Sequence, residues 1–228
     1  MKWQEKEDII INFIDTIFQQ IISENSTLPI RAVSRAGAEI SDVLEDKFVD
    51  IAQQQEKIIE VAGSPKGATK NPYDIYFIYE FNKQEQELIW IDIKATNAVY
   101  KDSNPDMGTY KKFLDFFKNG NYFAVYCQLA YVQDENGLRF VETPTSKMVN
   151  VFLLKDINSS FRIQPNNQLQ VNYASSPQRR SLTDFIDLLK EKVQASLVRK
   201  QQKIEKEINR LESDFDNVKQ EVKKTLSR

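Results

Sequence analysis

Three residues near the middle of the chain, Asp74, Asp92 and Lys94, are of types that could carry hydrolytic chemistry. Asp92, Ile93 and Lys94 lie in the run Ile89 to Ala95, whose β-branched and aromatic composition predicts a strand. Alternation turns Ile89, Ile91, Ile93 and Ala95 to one face and Trp90, Asp92, Lys94 and Thr96 to the other. An acid and a base two residues apart are therefore neighbours on one side of a strand whose opposite side is apolar. Burying an unpaired charge is costly, so the pair needs a salt bridge, an exposed edge or a chemical task. The preceding run, Asp74 to Phe81, has the same strand composition, and the polar stretch Asn82 to Glu87 joins the two as a hairpin. With the turn centred on Lys83, Asp74 falls opposite Asp92. Two carboxylates brought together repel unless a cation compensates them, which favours Mg²⁺ held by oxygen ligands.

Composition narrows the chemistry further. The 228 residues contain no histidine, which removes Ser-His-Asp and Cys-His catalysis, His-ligated zinc and every nuclease whose general base is a histidine. Hydrolysis by this chain falls to carboxylates, lysines and a hard metal ion. The single Cys127 lies in an apolar run and reads as a buried structural thiol, consistent with a reducing, cytoplasmic setting. The apolar stretch Ile9 to Ile22 is interrupted by Asn12, Asp15, Gln19 and Gln20, so neither a signal peptide nor a membrane span is expected. Charge is uneven: residues 1–60 carry 6 basic and 12 acidic side chains, 61–178 carry 12 of each, and 179–228 carry 13 and 9. A basic tail of that size is a solvated helix surface or a surface steered toward a polyanion.

The elements that must position the carboxylates follow from periodicity. One amphipathic helix spans Glu5 to Ser23, and a second runs from near Ile30 into Gln53-Gln54-Gln55, with Val33, Ile40, Val43, Leu44, Phe48 and Ile51 as its stripe. Lys57 to Ala62 finishes that helix or forms a short strand, and Gly63 to Gly67 is loop. After the hairpin a helix, Asp106 to Lys118, closes on Asn119-Gly120. Strands follow at Tyr122 to Val132 and Lys147 to Leu154, and from Ser181 onward the pattern is helical, with no Gly or Pro. This order predicts an α/β or α+β core, a mixed sheet flanked by helices, over residues 1–178, with a long helical extension over 179–228.

At this point the residues resemble a known family. Asn71-Pro72-Tyr73-Asp74, a strand, a turn and Asp92-Ile93-Lys94 look like the PD-(D/E)XK nuclease superfamily, and within it the type II restriction endonucleases. Ser34-Arg35-Ala36-Gly37 opening an acidic helix also resembles the N-terminal helix of such enzymes. The resemblance covers roughly Arg31 to Tyr131. A tyrosine separates Pro72 from Asp74, and the helix glutamate often found a turn after the Ala-Gly pair falls at Ser41, leaving Glu39 and Glu45 as substitutes. The Gln-x-x-x-Tyr motif of the recombination exonucleases is absent, which points to endonucleases cutting chosen sites. The resemblance implies a restriction-endonuclease-like fold and Mg²⁺ held by Asp74, Asp92 and the Ile93 carbonyl. It also implies Lys94 acting on the attacking water, and in-line hydrolysis of double-stranded DNA leaving a 5′-phosphate. Rival readings are a structure-specific repair or junction nuclease, and a non-catalytic coiled-coil adaptor.

Base recognition is less legible. Asn97, Lys101, Asn104 and Tyr110 after the catalytic strand, and Arg179 and Arg180 with the amides of Gln164 to Arg180, are of types that suit base edges or phosphates. In the tail, Leu197, Ile204, Leu211 and Val218 recur every seven residues, as do Ile208, Phe215 and Val222, with Gln201 as a polar interruption. Such a stripe packs on its own core or on the same helix of a second copy. Cutting both strands of a symmetric site favours the homodimer.

Overall fold

The computed structural model describes residues 1–30, 36–65, 71–99 and 104–227, without the side chain of Ala38. Ser34, Arg35, Val33 and Lys101, and the Lys66-Gly67 end of the expected loop, lie outside the described residues.

Ile10, Ile14, Ile17, Phe18 and Ile21 recur at helical spacing, and all five are buried in α1 (Trp3–Glu24). Ile40, Leu44 and Phe48 do the same for α2 (Ala36–Ala52). Both helices lie over one face of a seven-stranded sheet. Its strands are β1 (Thr27–Leu28), β2 (Ile58–Gly63), β3 (Ile75–Asn82), β4 (Glu85–Asn97), β6 (Phe123–Asp134), β7 (Gly137–Val141) and β8 (Val149–Leu153). The order is β1-β7-β6-β4-β3-β2, with β8 also paired to β6. β4 and β6 are parallel and the other pairs antiparallel, so the sheet is mixed.

The intervening crossover carries β5 (Asp106–Thr109) and α3 (Tyr110–Lys118), which closes on Gly120 at φ 84° as the Asn-Gly pair requires. β5 pairs with β10 (Gln168–Gln170), and β10 with β9 (Arg162–Ile163), in a small second sheet. The expected helix from Asp106 thus begins four residues late. Its first turn is replaced by a strand, because Asp106 and Thr109 pair with Gln170 and Gln168, about sixty residues away. Periodicity within a window has no access to such a partner.

The alternation of β4 places its side chains in two cores. Ile89, Ile91 and Ile93 join Ile75, Phe77 and the α1 and α2 stripes. Trp90 turns to a second cluster with Phe116, Tyr126, Phe161, Phe185 and Leu189. Cys127 is buried and free, as its setting predicts. The last helix, α4 (Leu182–Leu226), starts on Ser181, whose hydroxyl accepts the Asp184 N–H at 3.1 Å. Its first turns bury Phe185 and Leu189, and from residue 201 onward every described position is exposed. Among the described residues no helix is long and apolar enough to cross a membrane.

Candidate active site

The β3–β4 hairpin decides whether the two carboxylates meet. Its turn is Lys83-Gln84, with Asn82 opposite Glu85, and an irregularity at Phe81 shifts the ladder by one. Beyond it Glu80 faces Gln86, Tyr76 faces Trp90 and Ile75 faces Ile91, the register expected from the sequence. Asp74 continues that ladder through its backbone, donating its N–H to the Ile91 carbonyl at 2.8 Å. Its side chain then reaches forward, and Asp74 Oδ2 accepts the Ile93 N–H at 2.6 Å. A strand residue turns its N–H and C=O toward the same neighbour. The Ile93 carbonyl therefore also faces the Asp74 side, past the start of β3.

Asp92 is buried, and its Oδ1 accepts from Lys94 Nζ at 2.8 Å. Its Oδ2 is buried with no hydrogen-bond partner. An orphaned carboxylate oxygen is costly unless a ligand completes it. Burial pushes the Asp92 carboxyl up to about 7, against the pull of the Lys94 charge and with a further push from Asp74. Asp74 is raised as well, by burial first, with Lys94 and the Ile93 N–H pulling down and Asp42 pushing up. Burial disfavours the Lys94 ammonium, but the charges of Asp92 and Asp74 outweigh it and hold its pKa above the usual value. Two carboxylates share one lysine in a poorly hydrated site, so their negative charge is only partly compensated.

These side chains open into a cleft of about 510 Å³, whose other walls include Ser64, Asn71, Tyr73, Asp106, Thr109, Lys112 and Gln168. The donor set fits Mg²⁺: the free oxygens are hard, one is unpartnered, and the cleft gives access for water and a phosphate. Asp74, Asp92 and Lys94 are brought together. Glu39 and Glu45 are not among the cleft-lining residues. Glu39 is exposed, and Glu45 is buried against Gly63, where a Cβ would collide with its carboxyl group. The α2 carboxylate whose charge reaches Asp74 is Asp42, a residue that sequence reasoning passed over. Its position follows from α2 crossing β4 closely at Gly37, where a Cβ would stand 2.7 Å from the Ala95 carbonyl oxygen.

The cleft also collects Lys112 from α3 and Gln168 from β10, residues that no local motif marks. Several expected DNA-reading residues lie elsewhere or are already engaged. Arg179 bonds Asp8 at 3.0 Å and Glu7 at 3.4 Å, and Arg180 Nη2 donates to Gln178 Oε1 at 3.2 Å. Asn97 Oδ1 accepts the Val99 N–H, and Asn104 Oδ1 accepts the Tyr173 N–H.

No curated protein matches the chain. Among solved structures, NlaIV restriction endonuclease is similar at a TM-score of 0.49 and 17% identity, covering 85% of this chain and 80% of that one. The family model of the SwaI restriction endonuclease matches residues 2–213. The chain thus belongs to the SwaI-like restriction endonuclease family, nucleases that act on DNA.

Proposed function

We propose that the chain is a type II, Mg²⁺-dependent endonuclease of the PD-(D/E)XK kind, which hydrolyses both strands of double-stranded DNA at a chosen sequence as a homodimer. The observation that carries this reading is one cleft lined by Asp74, Asp92 and Lys94, with the Asp74 carboxylate on the Ile93 N–H and Asp92 Oδ2 buried without a partner. Asp74, Asp92 and the Ile93 carbonyl would hold the metal ion, which supplies positive charge to the scissile phosphate and acidifies a bound water. With Asp92 turned to the metal, Lys94 would be free to orient the attacking water and to offset charge developing on the phosphate. Trp90 and Tyr73, whose rings lie 5.1 Å apart, stiffen the start of β3 and the strand carrying Asp92. Residues 1–178 act as the nuclease core in this reading, and 179–228 as its helical extension.

Incubation with plasmid DNA and Mg²⁺ tests the proposal. Discrete fragments that disappear with EDTA are expected. Cleavage confined to branched substrates would assign a junction or repair nuclease instead. Intact DNA across varied sites and metals would leave only a binding or adaptor role.

A further inference from the structure

The last contacts of α4 with the body are made by Arg199, which donates to the Ile163 carbonyl at 3.3 Å, and Lys200, which donates to Asn167 Oδ1 at 2.9 Å. Beyond them the helix continues to Leu226 in solvent. Ile204, Leu211 and Val218 on one line, and Ile208, Phe215 and Val222 on the other, are 50–69% exposed. They alternate at spacings of four and three, the seam of a two-helix coil. We infer that this seam is closed by the same helix of a second copy, in a parallel and in-register coiled coil.

The flanking charges select the orientation. Ile208, Phe215 and Val222 occupy the first core position of each heptad, and Ile204, Leu211 and Val218 the fourth. In a parallel pair each residue before the first core position faces the partner's residue after the fourth, five positions on. Asp214 then meets Lys219, which attracts, while Glu207 against Glu212 repels; Lys200, which would face Glu205, is held by Asn167 of its own body. Each contact occurs twice, so two attractive pairs stand against two repulsive ones. In the antiparallel arrangement that best overlaps the stripe, Val222 lies against Ile204. Glu205 then meets Lys219 twice, but Glu207 meets Glu221 twice, and Glu212 and Asp214 each meet their own copy. Two attractive pairs then stand against four repulsive ones. Like charges at such positions select against a pairing.

Geometry agrees, on the reading that two copies cut the two strands of one site. At 1.5 Å per residue, the antiparallel pair would hold the two Lys200 positions about 40 Å apart, whereas the parallel pair holds them about 10 Å apart. Only the parallel coil delivers both bodies to one end.

Cysteine cross-linking tests the inference on the full chain, since the native Cys127 is wholly buried. Gln201→Cys sits at a core position and is expected to form a disulfide-linked dimer under mild oxidation. Ser213→Cys, on the outer face, is the control and is expected to stay uncoupled. Light scattering of the unmodified protein at micromolar concentration without DNA is expected to give twice the chain mass. Ile208→Asp with Leu211→Asp is expected to halve it without changing the melting of the body, because both side chains are already exposed in the single chain. A dimer in which Gln201→Cys fails to cross-link would overturn the parallel orientation. A monomer would overturn the coil altogether, and discrete plasmid cleavage by that monomer would show that the nuclease reading survives without it.

Discussion

Two clusters of buried charge lie toward opposite ends of the sheet, and they are built differently. At the end where β4 and β6 begin, Lys6 bonds Glu85 and Glu87, each at 2.8 Å. Glu7 accepts from Tyr122 at 2.5 Å and faces Lys155 at 3.3 Å and Arg179 at 3.4 Å. Asp156 is held by Lys155 at 2.9 Å and by the Arg180 N–H. Among the described residues no carboxylate oxygen of this cluster is buried without a partner, and its one orphan is a donor, Arg180 Nη1. At the Asp74 end, two carboxylates share one lysine, and Asp92 Oδ2 is an acceptor buried without a partner. A closed network of ion pairs holds α1 and the start of α4 to the sheet. An open one with an excess of acid is suited to take a cation. Charge type and burial are alike at the two ends, and the partner inventory separates structure from chemistry.

Substitutions that remove one member from each cluster should therefore fail in different ways. A large effect on activity without loss of fold is expected at Lys94. Lys94→Ala should slow cleavage by roughly 10²–10⁴-fold while the protein stays folded, because Asp92 and Asp74, whose carboxyls burial already raises, can take up a proton in place of the lost cation, and Arg at this position should rescue poorly. If circular dichroism shows Lys94→Ala unfolded, the lysine is structural and the contrast between the two ends collapses.

At the other end, Lys155→Ala leaves Glu7 and Asp156 buried without their shared cation. Breaking a buried pair in this way costs about 3–5 kcal/mol. Denaturant unfolding should show that loss, and the cleavage rate per folded molecule should be unchanged. A Lys155→Ala protein that is stable but inactive would move part of the catalytic machinery to the wrong end of the sheet.

A third contrast is one of pH. The folded Asp92 carboxyl titrates near 7, against about 3.9 in an unfolded chain. Between those values the folded protein binds the extra proton. The stabilisation it gives is complete below about pH 4 and is lost as pH rises to about 7. Asp74, also raised, adds to the same slope. Thermal melts of the metal-free protein across that window should fall with pH, and Asp92→Asn should flatten the trend. An equal slope in the two proteins would mean that Asp92 is already ionised well below neutrality.

The hairpin was legible because its information is local: alternation fixes which side chains share a face, and the polar Asn82 to Glu87 stretch fixes the register to within the irregularity at Phe81. Asp74, Asp92 and Lys94 could be paired on that basis. The rest of the cleft is assembled by distant contacts. Asp42 reaches Asp74 only because Gly37 lets α2 approach Ala95. Gln168 and Thr109 line the cleft through the pairing of β10 with β5, the same pairing that turned an expected helical turn into a strand. Arg179 looked available for phosphate until the fold gave it Glu7 and Asp8. Side-chain type sets what a residue is able to do, and tertiary partners decide whether it is free to do it.

The most direct test of the account is Asp92→Ala beside the wild type on one DNA substrate, with cleavage and binding both measured in saturating Mg²⁺. The account predicts that cleavage falls about 10³-fold or more, the loss of several kcal/mol of transition-state stabilisation. DNA affinity should hold or rise as carboxylate repulsion from phosphate is relieved. Cleavage retained within a few-fold of the wild type would contradict it.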